Sequence, residues 1–184
     1  RGFVVLHPGT SRFGAFKRWP TERFAALAAR IVRETDAAVV VTGAPGEEPL
    51  VEAVSAAAGV ATTGLVTPNL ATLAALVARA RAVVAADTGP LHLAAGLEVP
   101  VLGLFGPKDA AVYGPYGRRP DGSAGPLAVL VRDDVGCRPC AVRWCPEPVC
   151  MSGLEVDDVF ARLRALVGPG SRVGGGSDGV AVTR

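Results

Sequence analysis

Three short polar segments of this 184-residue sequence have the residue types that bind small phosphorylated ligands. The first, residues 7–20, reads His-Pro-Gly-Thr-Ser-Arg-Phe-Gly-Ala-Phe-Lys-Arg-Trp-Pro and carries the hydroxyls of Thr10 and Ser11 and the ammonium of Lys17. Hydroxyls, backbone amides and a cation are the donors that hold a phosphate. The spacing of its two glycines fits neither a dinucleotide fingerprint nor a P-loop. An ordinary loop with a solvated Lys-Arg pair is the alternative.

The second segment, residues 86–95, reads Ala-Asp-Thr-Gly-Pro-Leu-His-Leu-Ala-Ala and predicts the start of a helix. Pro90 suits the first helical turn, where a missing amide hydrogen costs nothing. The amides around Thr88, Gly89 and Leu91 would then point from the helix N-terminus at a ligand. Such an arrangement is an anion-binding site.

Two carboxylates and one imidazole accompany these donors. Asp87 can accept hydrogen bonds from sugar hydroxyls, and His92 falls in the first turn of the predicted helix. Glu47 ends a third segment, Gly-Ala-Pro-Gly-Glu, and could bind the hydroxyls of a ribose. Each has a simpler alternative. Asp87 or Thr88 could serve only as an N-cap, His92 could be a half-buried helix residue, and Glu47 also suits the electropositive start of a helix.

Short apolar runs alternate with stretches of helical period, which predicts an α/β domain with a parallel sheet covered by helices. Each of the three polar segments follows a predicted strand. The carboxyl ends of parallel strands meet at one edge of such a sheet, so the segments are expected to converge there. The predicted strands are Phe3–Leu6, Ala38–Thr42, Val60–Thr62, Ala82–Ala86, Val99–Phe105 and Ala128–Val131.

Helix boundaries also have local signals. A first helix is predicted to begin near Pro20, and Asn69 is predicted to cap another. Ser152 and Glu155 have the spacing of a capping box ahead of a last amphipathic helix. Residues 168–184 are rich in glycine and poor in apolar side chains, so we expect a flexible tail after a single domain of residues 1–167.

Composition excludes several functional classes. The net charge is +2 and the basic residues are scattered, so no nucleic-acid partner is expected. The longest apolar runs are too short to span a bilayer. The chain opens on Arg1 without a signal-peptide pattern, and the sequence is expected to be a fragment.

The cysteines form one cluster with the spacing C-x2-C-x4-C-x4-C. This spacing is compatible with a zinc site of four thiolates. A local disulfide and free thiols remain alternatives, and the pattern does not decide among them. The residues are Cys137, Cys140, Cys145 and Cys150.

Taken together, the quoted segments resemble glycosyltransferase family 9, the lipopolysaccharide heptosyltransferases. The resemblance is carried by residues 86–107, by His-Pro-Gly-Thr-Ser with Lys-Arg-Trp-Pro, by Gly-Pro-Tyr-Gly at 114–117 and by Cys-Arg-Pro-Cys. It extends over about residues 1–167. It implies a Rossmann-like domain that forms the C-terminal, donor-binding half of a two-domain GT-B enzyme.

The resemblance also implies the ligand and the roles of the site residues. The donor would be an ADP-sugar, most typically ADP-L-glycero-D-manno-heptose, with its adenine near residues 68–70. Lys17 and Asp87 would take part in catalysis, and neither a metal nor a cofactor is required. The implied donor-binding residues are Thr10, Ser11 and Lys17 at the diphosphate, Glu47 at the ribose, Asp87 at a sugar hydroxyl, and Thr88, Gly89 and His92 at the phosphates or sugar.

The implied reaction is transfer of the sugar with inversion to a glycolipid or other cell-envelope glycan acceptor. The catalytic base would be an aspartate of an N-terminal acceptor domain that this chain lacks. The implied location is the cytoplasm, with peripheral association at the inner membrane through that missing half. Two rival interpretations are a nucleotide-sugar epimerase of the GT-B type and a non-catalytic nucleotide- or zinc-binding module.

Overall fold

Six parallel strands form one sheet in the computed structural model, which describes residues 2–116, 127–132, 134–140 and 144–167. The spatial order is β3-β2-β1-β4-β5-β6, so the chain runs outward from the centre in both directions and the order reverses between β1 and β4. This doubly wound arrangement confirms the predicted α/β class with a Rossmann-like sheet. The strands are β1 Phe3–His7, β2 Ala38–Gly43, β3 Thr63–Val66, β4 Ala82–Ala86, β5 Val101–Phe105 and β6 Leu127–Val131.

Helices cover both faces of this sheet and bury two separate apolar cores. Side chains alternate along each strand, so Val4 and Leu6 enter one core and Val5 enters the other. The first core lies under α1, α2, α6 and α7, and the second under α3 and α4. The helices are α1 Thr21–Glu34, α2 Glu48–Ala57, α3 Leu70–Val77, α4 Gly89–Gly96, α5 Ala110–Tyr113, α6 Val149–Ser152 and α7 Val156–Val167.

The third strand is not where the sequence predicts it. Residues 60–62 lie outside the sheet, and the strand begins at Thr63, which pairs with Val40 of β2. Gly64 interrupts the β-branched pattern, but a Cβ there would lie 2.9 Å from Val51 Cγ1, so its absence lets α2 approach the strand. The other strands agree with the prediction to within two residues at each end.

The helix signals were partly correct. Asn69 caps α3 as predicted, because its side-chain oxygen accepts a hydrogen bond from the Thr72 amide at 2.9 Å. The capping box is wrong, since Ser152 is the last residue of α6 and not the cap of α7. The Glu155 carboxylate instead accepts two hydrogen bonds from Arg23 of α1, at 2.7 and 3.1 Å. A contact between α1 and the residue just before α7 therefore replaces the local cap.

The segment after β1 is anchored at its far end by the buried ring of Trp19. Its indole nitrogen donates to the Leu154 carbonyl oxygen at 2.9 Å, and the ring packs edge-on against Phe24. Residues 12–17 form a 3₁₀ turn between β1 and this anchor. The turn is thereby held over the carboxyl edge of the sheet.

No helix in the described ranges is long and apolar enough to cross a membrane. The predicted tail, residues 168–184, lies outside the described residues, as does Gly117 of the Gly-Pro-Tyr-Gly segment.

Candidate functional site

A pocket of about 620 Å³ opens at the carboxyl edge of the sheet, where the loops after β1, β2, β3 and β4 meet. It lies across β1 and β4, where the strand order reverses and open α/β sheets bind ligands. The donor-binding residues implied from the sequence all line this pocket: Thr10, Ser11, Lys17, Glu47, Asp87, Thr88, Gly89 and His92.

An ion pair joins the first and second polar segments across the pocket floor. Lys17 Nζ lies 2.7 Å from Asp87 Oδ2 and 3.3 Å from the Asp87 carbonyl oxygen. The two side chains are only 22% and 11% exposed. His92 Nε2 lies 3.5 Å from the other carboxylate oxygen of Asp87. Lys17 is thus held in place before a ligand arrives, and an incoming anion must compete with Asp87 for it.

The N-terminus of α4 supplies uncommitted amides to the same region. Thr88 precedes the helix with an extended backbone, and its hydroxyl donates to the Ala86 carbonyl oxygen at 3.1 Å. The sequence suggested that the Leu91 amide is also free to bind a ligand. This is wrong, because the Leu91 amide already donates to the Thr88 carbonyl oxygen at 3.1 Å. Within the described residues, the amides of Thr88 and Gly89 have no protein acceptor and line the pocket.

Glu47 places a carboxylate on the β2 side of the pocket. Its Oε2 accepts a hydrogen bond from the Ala44 amide at 2.9 Å, which holds the side chain back over the turn after β2. The carboxylate lies against Gly9, where a Cβ would come within 2.3 Å of Oε2. Gly9 is therefore required for this close approach, a role the sequence analysis did not assign to it.

Thr10 and Ser11 line the pocket from the loop after β1 but differ in burial. Thr10 is 6% exposed, whereas Ser11 is largely exposed. The Ser11 carbonyl oxygen accepts from the Gly14 amide at 2.7 Å and closes the first turn of the 3₁₀ segment. The loop thus offers one buried hydroxyl, from Thr10, and one exposed hydroxyl, from Ser11.

Two buried polar residues of the pocket were missed from the sequence. His7 ends β1, is 5% exposed, and has its Nδ1 3.0 Å from the Thr42 hydroxyl. Burial lowers the pKa of His7, and the negative charge of Glu47 offsets only part of this effect, so the imidazole is neutral at pH 7. Thr67, after β3, is 4% exposed and donates to the Gly43 carbonyl oxygen at 3.4 Å. His7 directly follows the predicted first strand, which was the available signal; Thr67 follows β3 only in the structure, because the predicted third strand ended at Thr62.

An apolar wall completes the pocket beside these polar groups. Asn69 and Leu70 of the segment predicted to receive a base line it, as do Leu73 and Pro45. Pro68 of the same segment is not part of the lining. A pocket with a cation and free amides at one end, a carboxylate at the other and an apolar wall matches the parts of a nucleoside diphosphate.

The cysteine cluster lies apart from this pocket. Cys137 is exposed and Cys150 is buried, and burial raises the pKa of the Cys150 thiol. Within the described ranges, no three His, Cys, Asp or Glu side chains are arranged to hold a metal ion. The hypothesis of a four-cysteine zinc site therefore has no geometric support here.

Comparisons of the sequence with known proteins identify the family of this chain. The sequence profile described as glycosyltransferase family 9 (heptosyltransferase) matches residues 1–149. Lipopolysaccharide heptosyltransferase 1 of Pseudomonas aeruginosa is 35% identical over 115 residues, which cover 54% of this chain and 30% of that protein. Lipooligosaccharide heptosyltransferase 2 of Campylobacter jejuni is 27% identical over 167 residues, covering 88% and 50%.

The fold is shared with a solved heptosyltransferase. A structure of an Escherichia coli heptosyltransferase with ADP matches with a TM-score of 0.67 and 23% identity, over 89% of this chain and 44% of that one. The chain thus spans half or less of the length of these relatives.

Proposed function

The chain belongs to glycosyltransferase family 9, and from this we propose that it forms the donor-binding half of an enzyme that transfers heptose, or a related sugar, from an ADP-sugar to a cell-envelope glycan. The acceptor would be lipopolysaccharide or another glycolipid or glycan. The matched relatives named as lipopolysaccharide and lipooligosaccharide heptosyltransferases support this substrate class.

The observation that carries the proposal is the convergence of donors at one end of the pocket. Two loops that are far apart in sequence line one cavity. The first contributes Lys17 and the hydroxyls of Thr10 and Ser11, and the second contributes the amides of Thr88 and Gly89. These groups would hold the diphosphate. Glu47 on the β2 side would accept hydrogen bonds from the ribose, and the wall beside Asn69 and Leu70 would face the adenine.

The chemistry follows from where negative charge develops. In an inverting transfer, an acceptor oxygen attacks the anomeric carbon, the bond to the diphosphate oxygen breaks, and ADP leaves with the bonding electrons. Lys17 and the amides at the start of α4 would stabilise that departing charge, because donors fixed in advance need no reorganisation during the reaction. The Asp87 carboxylate would accept a hydrogen bond from a hydroxyl of the donor sugar and so position the sugar ring.

The remaining parts of the reaction belong to the other half of the protein. The acceptor's proton would pass to a base in the N-terminal acceptor domain that the resemblance implies. That half would also mediate any peripheral contact with the cytoplasmic face of the inner membrane. The chain by itself is expected to bind the donor without transferring it.

The test is calorimetric binding of ADP, UDP and GDP to this chain, with inorganic pyrophosphate as the control for phosphate recognition alone. ADP should bind most tightly, and pyrophosphate should bind more weakly than ADP because it lacks the ribose and the base. UDP binding as strong as ADP binding would contradict the heptosyltransferase assignment. A chain that binds pyrophosphate as tightly as ADP would contradict the roles of Glu47 and the apolar wall.

A further inference from the structure

Arg18 follows Lys17 in sequence but points to a different partner. Its Nε donates to Thr10 Oγ1 at 3.0 Å, and its Nη2 lies 3.4 Å from the Thr10 carbonyl oxygen. The side chain is half-buried and does not line the pocket, whereas Lys17 and Thr10 both do. Arg18 therefore links the end of the 3₁₀ turn to the loop that precedes it, and it is not merely a solvated neighbour of the ligand-facing cation.

The contact decides how the Thr10 hydroxyl can be used. A hydroxyl has one hydrogen to donate and two lone pairs to accept with, and a guanidinium can only donate. The Nε–H of Arg18 occupies one lone pair of Oγ1, so the hydroxyl hydrogen must be directed elsewhere. Among the side-chain hydrogen bonds of the described residues, none has the Thr10 hydroxyl as its donor. Thr10 is 6% exposed and lines the pocket, so an acceptor bound there is its available partner.

We propose that Arg18 is a positioning residue that directs the Thr10 hydroxyl hydrogen toward the bound diphosphate without touching the ligand itself. A cation on the far side of the oxygen also polarises the hydroxyl and makes it a stronger donor. The inference rests on the proposed function, because it takes the anion in this pocket to be the diphosphate of the donor.

A double-mutant cycle tests this coupling. ADP binding is measured by calorimetry for wild type, Arg18→Ala, Thr10→Val and the double variant; valine keeps the shape of threonine and removes its hydroxyl. Each single change should weaken ADP binding about tenfold, the scale of one hydrogen bond to a charged group. The double variant should bind no more weakly than Thr10→Val alone, because Arg18 has nothing left to act through.

Further measurements separate a positioning role of Arg18 from a structural one. Adenosine, which has no phosphate, should bind Arg18→Ala and wild type equally. Arg18→Met keeps much of the apolar stem and removes the donors, so it should reproduce the loss for ADP even if Arg18→Ala is poorly folded. Thermal unfolding of each variant checks that the fold is retained.

The outcomes distinguish the inference from the function on which it rests. If Arg18 and Thr10 act additively, or if Arg18→Met binds ADP like wild type, the inference is overturned and the proposed function is unaffected. If wild type binds neither ADP nor pyrophosphate, both fail together. If wild type binds ADP no better than UDP but the coupling is present, the nucleotide assignment fails and the role of Arg18 stands.

Discussion

Replacing Lys17 with alanine should weaken ADP binding strongly, because this ammonium is the one side-chain cation among the pocket-lining groups assigned to the diphosphate. Lys17 is partly buried and already oriented by Asp87, 2.7 Å away, so little ordering entropy is spent when an anion binds. A charge-assisted hydrogen bond of this kind is worth about 1.5–3 kcal/mol. That range corresponds to an increase in Kd of roughly 10- to 150-fold.

Replacing Asp87, the acidic partner of Lys17 in the ion pair, should have the opposite effect on the affinity for ADP. Asp87→Asn removes a carboxylate that competes with the diphosphate for Lys17 and repels the incoming anion. Like charges a few ångströms apart at a partly solvated site interact by about 1 kcal/mol or more, so the affinity for ADP should rise several-fold. ADP does not carry the transferred sugar, so binding of ADP measures this electrostatic effect separately from the proposed role of Asp87 at a donor sugar hydroxyl.

The assay is calorimetry with ADP at a fixed salt concentration of about 0.1 M, because surface electrostatics are screened over about 10 Å at that ionic strength. Arg79→Ala is the matched control: it removes an exposed cation that does not line the pocket. Its Kd should stay within about twofold of wild type. The reasoning is refuted if Lys17→Ala and Arg79→Ala change the affinity equally, or if Asp87→Asn weakens ADP binding as much as Lys17→Ala does.

Three further substitutions or reactions test other parts of the structure. Asn69→Ala removes the cap of α3 and should lower the free energy of unfolding, measured in urea, by about 1 kcal/mol. The control Asn69→Asp keeps a capping oxygen and should be nearly neutral. If Asn69→Ala left the free energy of unfolding unchanged, the cap would contribute nothing to stability. Gly9→Ala places a Cβ 2.3 Å from the present position of the Glu47 carboxylate and should displace it. ADP binding should then weaken about tenfold with little change in melting temperature. An unchanged Kd would show that Glu47 does not bind ADP. At pH 8, iodoacetamide should label buried Cys150, whose pKa is raised, more slowly than exposed Cys137, as followed by mass spectrometry; equal rates would contradict the described burial.

The parallel sheet and the membership of the pocket could be predicted from the sequence because their signals are local. Short apolar runs separated by helical periods specify the α/β class, and polar residues directly after those runs must lie at the carboxyl edge. This is why Lys17, Glu47 and Asp87 were placed together without knowledge of any contact. Asn69 was equally predictable, since a cap bonds within its own first turn.

Contacts between distant segments could not be predicted in the same way. The position of β3 depends on its register against β2 and on the room that Gly64 leaves for α2, and residues 60–62 have the better strand composition without that pairing. Glu155 does not take part in the predicted capping box, because its carboxylate accepts hydrogen bonds from Arg23 of α1 instead. In both cases a tertiary partner outweighed a local preference of about 1 kcal/mol or less.

The different roles of Lys17 and Arg18 in the site also could not be predicted from the sequence alone. Their side chains point apart, as neighbours in sequence do near a helix start, and the family resemblance selects Lys17 for the phosphate. Lys17 pairs with Asp87, 70 positions away, and Arg18 bonds to Thr10. Both contacts depend on how the loop after β1 folds over β4. Residue types and their order along the chain determined which groups reach the pocket. Only the packed loop decided which of them face the ligand and which hold the others in place, because hydrogen-bond partners are set by distance and direction in three dimensions.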